Sequence, residues 1–162
     1  MTFRKTNPHA KDLRKGRYSE NQQIYLVTTV THKRQKIFTS FFLGRMIVLA
    51  MKHLHQQQKV NSLAFVIMPD HFHWLFALQN DTSLAEVMKS VKGSSGYKIQ
   101  KTRREQGELT NSQPLWQDGY HDHAVRKEED LQQMARYIIA NPLRAGIVKS
   151  VADYPLWDAT WL

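Results

Sequence analysis

Residues 64–77 read Ala-Phe-Val-Ile-Met-Pro-Asp-His-Phe-His-Trp-Leu-Phe-Ala, and they constrain the fold more than any other part of the chain. Two apolar runs meet at Pro69-Asp70, which predicts strands over residues 62–68 and 72–78 joined in a tight antiparallel hairpin. Strand side chains alternate, so His71 and His73 share one face and Phe72 takes the other. Two adjacent imidazoles in a chain with no cysteine point to part of a nitrogen and oxygen metal site. An ordinary half-buried histidine pair is the competing reading.

The rest of the pattern surrounds this hairpin. Residues 24–31, rich in β-branched side chains, predict a first strand. Leu43, Met46, Ile47, Ala50 and Leu54 fall at helical spacing and predict a helix over 41–57. Ser83 and Glu86 form a capping box ahead of Leu84, Val87, Met88 and Val91; this second helix should be interrupted or bent at residues 93–96, Gly-Ser-Ser-Gly, with helical pattern resuming over 97–104. A strand is expected over 120–126 and a last helix over 128–140, stopped by Asn141-Pro142. The order β-α-β-β-α-β plus a helix predicts an α+β, ferredoxin-like split βαβ fold, one antiparallel sheet with two helices on one face. At 162 residues and without an internal repeat, a single domain over 1–162 is expected, with a basic arm at 1–20 and a turn-rich tail at 143–162.

Charge narrows the partner. Twenty-three Lys and Arg against fourteen Asp and Glu give a net +9, which favours a polyanion, nucleic acid above all. Arg14, Lys15 and Arg17 in the arm, and Lys89 and Lys92 along the second helix, are the candidates for phosphate contacts. No apolar run approaches bilayer-spanning length and the N-terminus has no signal-like apolar stretch, so a cytoplasmic protein with no membrane partner is expected.

The last helix adds chemistry. Tyr137 and Asn141 stand four apart, one turn along one helical face. They read either as a nucleophile beside an oxygen ligand or as a core tyrosine and a helix cap. Two imidazoles with one amide oxygen suit Mg²⁺ or Mn²⁺, with positions left for a phosphate. A phenol ionises only near pH ~10 when free, and no general base for it is apparent. His123 reads as a neighbouring active-site or DNA-contacting residue, and Arg126 as a phosphate contact. Tyr97 is the rival tyrosine, without a ligand four residues on. Trp116, Tyr120 and Phe72 are candidates for stacking on unpaired bases, with core packing the simpler role for Phe72.

Three segments also carry a resemblance. Residues 68–75 (Met-Pro-Asp-His-Phe-His-Trp-Leu), 116–126 (Trp-Gln-Asp-Gly-Tyr-His-Asp-His-Ala-Val-Arg) and 137–146 (Tyr-Ile-Ile-Ala-Asn-Pro-Leu-Arg-Ala-Gly) resemble the single-tyrosine HUH transposases that act on single-stranded DNA. With residues 14–19 (Arg-Lys-Gly-Arg-Tyr-Ser) and the short length, the chain looks most like the REP-associated tyrosine transposases. The resemblance implies His71, His73 and Asn141 as ligands of Mg²⁺ or Mn²⁺ and Tyr137 as nucleophile. It implies cutting of one DNA strand beside a hairpin through a 5′-phosphotyrosine link, by a monomer or homodimer. Two other functions fit the same residues: a non-catalytic binder of hairpin DNA or RNA, and a metal phosphohydrolase using water.

Overall fold

The computed structural model describes residues 4–5, 23–126 and 129–160. Among these, six strands form one sheet: β1 (Arg4–Lys5), β2 (Ile24–Val30), β3 (Val60–Met68), β4 (His71–Leu78), β5 (His121–Ala124) and β6 (Trp157–Ala159). Their spatial order is β1-β5-β2-β4-β3-β6, with every pairing antiparallel. Helix α1 (Phe41–Gln56) links β2 to β3, and α2 (Leu84–Glu105) links β4 to β5. The inner order β5-β2-β4-β3 with those crossovers is the expected ferredoxin-like α+β arrangement.

The apolar run of β4 puts it at the centre. Phe72, Trp74, Leu75, Phe76 and Leu78 are all buried, which needs cover on both faces. On one face α1 and α2 pack against each other. Phe72 points there, meeting Trp116 edge to face at 5.4 Å, and the Trp116 indole donates to Ser95 of α2 at 3.2 Å. On the other side α3 (Leu131–Ile139) lies along β3 and β6, followed directly by the short α4 (Asn141–Arg144). Side-chain caps start the three longer helices: Ser40, Ser83 and Asp130 accept from the amides of Leu43, Glu86 and Gln133.

Three local expectations are revised. Helix α2 runs unbroken through Gly93 and Gly96. Ser95 is buried, bonds back to the Val91 carbonyl and receives Trp116, and this packing outweighs the roughly 1 kcal/mol that each glycine costs a helix. Pro142 ends one helix and opens the next, since its missing N–H is harmless in a first turn. The tail is more than turns: Tyr154 donates to the Ile67 carbonyl, Leu156 is buried, and β6 covers the edge of β3. Of the basic arm only residues 4–5 are described, as the edge strand on β5, with Arg4 opposite Asp122 and Lys5 opposite His121. No helix among the described residues is long and apolar enough to cross a membrane.

Trp116 is 6% exposed and joins Phe38, Phe72 and Ser95. Trp116→Ala should therefore cost about 3–5 kcal/mol, read as a lower urea midpoint at unchanged slope.

Candidate active site

His71 opens β4 immediately after the Pro69-Asp70 turn, and His73 follows on the same face. Their rings stand edge to face with centroids 5.0 Å apart. Each is held through Nδ1. His71 Nδ1 is 2.6 Å from Asp70 Oδ1, and His73 Nδ1 is 2.7 Å from Thr28 Oγ1. Thr28 reaches His73 because β2 sets the two directly opposite each other. With Nδ1 of each ring engaged by a neighbour, Nε2 is the ring nitrogen that a ligand would use, and a partner on the other ring nitrogen is the usual companion of a metal-binding histidine.

Electrostatics agree with that role. Burial, then the charges of His71 and Arg144, push the His73 pKa down to about 3, so the ring is neutral, as a ligand must be. Desolvation raises the Asp70 pKa, but the His71 hydrogen bond and the charges of His71 and Arg34 outweigh it and keep the carboxyl ionised below its usual range. Arg34 completes this with a contact to Asp70 at 3.3 Å.

The tyrosine arrives from α3. Its apolar stripe of Met134, Ala135, Ile138 and Ile139 is buried, while Tyr137 is 56% exposed, which is not the environment of a core tyrosine. The Arg144 guanidinium lies 3.9 Å above the Tyr137 ring, and the same arginine is close enough to His73 to shift it. Asn141 donates through Nδ2 to the Ile138 carbonyl at 2.8 Å, which fixes the amide and assigns Oδ1 as its acceptor atom. Among the described residues no three His, Cys, Asp or Glu side chains cluster as a metal site. A divalent ion would rely on the two imidazoles and the Asn141 oxygen, a mixed set suited to Mg²⁺ or Mn²⁺ with room for phosphate oxygens.

The remaining candidates are dispersed. His123 Nε2 lies 2.9 Å from both Glu129 oxygens, and Glu129 also accepts from the Arg126 amide at 3.1 Å and its Nε at 3.4 Å. Desolvation raises the Glu129 pKa, yet the bonds from His123 and Arg126 hold it below the usual carboxylate range. His123 and Arg126 therefore brace the approach to α3, one residue before its Asp130 cap. Lys92 donates to the carbonyls of Gln117 and Gly119 at 3.1 and 2.7 Å, with burial lowering its pKa, so it pins that loop. Lys89 is exposed on α2. Phe72 and Trp116 are core residues rather than stacking platforms. Tyr97, 69% exposed, stands on α2, on the helix side of the sheet. Arg14, Lys15 and Arg17 lie outside the described residues.

Thr28, Asp70 and Arg144 were not singled out by the sequence reading. Arg144 had a signal: it lies seven residues, two helical turns, beyond Tyr137. Asp70 adjoins a histidine, but Thr28 is 45 residues from its partner and only the sheet register reveals it.

Comparison with known proteins shows the family and the fold. A relative from Haemophilus influenzae named "Putative REP-associated tyrosine transposase" is 26% identical over 136 residues, covering 82% of this chain and 77% of the relative. A REP-associated tyrosine transposase of Escherichia coli K12 is 21% identical over 139 residues, covering 85% of this chain and 76% of the relative. The solved structure of a REP-associated tyrosine transposase bound to a REP hairpin superposes with a TM-score of 0.65 at 23% identity, covering 86% of this chain and 78% of that one, and shares the fold. The family model described as "Transposase IS200 like" matches residues 19–141, so the chain belongs to the IS200-like transposase family.

Proposed function

We propose that this protein is a tyrosine transposase that cuts and rejoins single DNA strands beside hairpins, through a covalent 5′-phosphotyrosine intermediate and with a divalent metal. The observation that carries the reading is an exposed Tyr137 under the Arg144 guanidinium, in a chain whose His71 and His73 stand edge to face at the start of β4. The names of the relatives, the hairpin bound by the structural neighbour and the +9 charge support it.

The chemistry follows from this chain's own groups. Tyr137 Oη attacks the phosphorus, an O–P bond forms, the bond to the 3′ oxygen breaks, and that oxygen leaves to become a 3′ hydroxyl. Arg144, stacked on the attacking ring, is positioned to meet the phosphate charge where the nucleophile approaches. Rejoining reverses the step, with a 3′ hydroxyl attacking the phosphotyrosine. His71, His73 and Asn141 would hold Mg²⁺ or Mn²⁺, which when bound supplies charge compensation at the phosphate oxygens. Asp70 and Thr28 keep the two imidazoles turned for that purpose.

The deciding experiment mixes the protein with end-labelled hairpin oligonucleotides from repeats flanking its gene, with Mn²⁺, on a denaturing gel. A DNA band carrying the mass of the protein is expected, and Tyr137→Phe should abolish it and cleavage while hairpin affinity stays within a few-fold. Cut DNA without the adduct supports the water-using hydrolase; tight binding without cutting supports the binding module.

Thr28→Val keeps the branched shape and removes the bond to His73. Mn²⁺ affinity by calorimetry should fall about 10- to 100-fold, with DNA binding unchanged. Hairpin affinity should drop steeply between ~50 and ~200 mM salt if several phosphates are contacted, and a flat response would remove the charge argument.

A further inference from the structure

On the helix side of the sheet a cavity of about 430 Å³ opens between α2 and residues 113–119. Its wall on α2 is one helical face. Lys92, Gly96, Gln100 and Arg104 follow one another at spacings of four, with Tyr97 beside them. Tyr97 and Arg104 are exposed there on a rigid, very long helix. The opposite wall is fixed: Lys92 holds the Gln117 and Gly119 carbonyls, Gln100 holds the Gln113 carbonyl at 3.0 Å, and Trp116 is locked into the core.

Gly96 lines this cavity. Glycine is a poor residue for the middle of a helix. A Cβ at this position would stand 3.8 Å from the Trp116 ring and 4.0 Å from Leu115, ordinary contact distances. Packing thus does not demand glycine. What a side chain here would do is fill the cavity floor. An open floor, an exposed aromatic and a cation on one face suit a planar base with an attached phosphate. The volume suits one nucleotide.

We propose that this pocket receives one unpaired nucleotide of the DNA strand flanking the hairpin, its base stacked on Tyr97 and its phosphate met by Arg104. This deepens the reading of the protein as a hairpin-DNA enzyme and rests on it.

The test is equilibrium binding by anisotropy, in EDTA to prevent cleavage. One probe is the blunt hairpin; the other is the same hairpin with an extension of about six thymidines on either end. Tyr97→Ala and Gly96→Met should each weaken the extended probe about tenfold and leave the blunt probe unchanged, and Tyr97→Phe should restore it. Methionine favours helix more than glycine, so the filled pocket does not act through unfolding, and thermal melting checks this. An extension containing 5-iodouracil should crosslink to Tyr97 under ultraviolet light. Equal affinity for both probes in all variants, or a crosslink confined to other residues, overturns the pocket while blunt-hairpin binding leaves the parent reading standing. A gain seen with a uridine RNA extension and not with thymidine overturns it in favour of RNA. Failure of the native protein to bind any hairpin overturns both.

Discussion

The pairing of β2 with β4 sets Thr28 opposite His73, and the chemistry of the candidate site depends on that rung. A slip of one residue would turn both histidines towards the helices and Phe72 towards the site. The burial of Phe72 against Trp116 on one face therefore fixes the direction of His71 and His73 on the other. Packing energy in an apolar core thus sets the aim of two polar rings. The same rung continues to β5, where His121 lies opposite Thr28.

The second half of the site is the tyrosine with a cation on its ring. Arg144 reaches the Tyr137 ring because α4 starts as soon as α3 ends, with Pro142 in its first turn. The His123–Glu129 contact and the Asp130 cap act at the other end of α3, so the tyrosine helix is fixed at both termini by polar groups. Between them its apolar stripe seats it beside β3 and β6.

Much of this was legible in residue spacing. The hairpin, the shared face of His71 and His73, the 41–56 helix and the Ser83 cap are local, and local patterns report them, whereas the single helical face expected to carry Tyr137 and Asn141 is divided at Ala140, with Asn141 opening the next helix. Gly93 and Gly96 misled because helix propensity is weak beside the tertiary contacts of Ser95 and Trp116. The strand at residues 157–159 was hidden because it exists only through its pairing with β3, nearly a hundred residues away in sequence. Thr28 and Arg144 were hidden for a similar reason: their partners are set by register and by the turn at Pro142, neither of which a short window of sequence contains.

Helix α3 has nine residues and buries four apolar side chains, whereas β4 is paired on both edges and buried on both faces. Free energies of local opening follow such differences, so the helix is expected to open at lower cost than β4. In the proposed reaction a cut strand stays attached to Tyr137. The DNA end is then carried on the less deeply packed of these two elements, and the histidines stand on the more deeply packed one. In the proposed strand exchange the nucleophile and the imidazoles thus rest on supports of unequal depth.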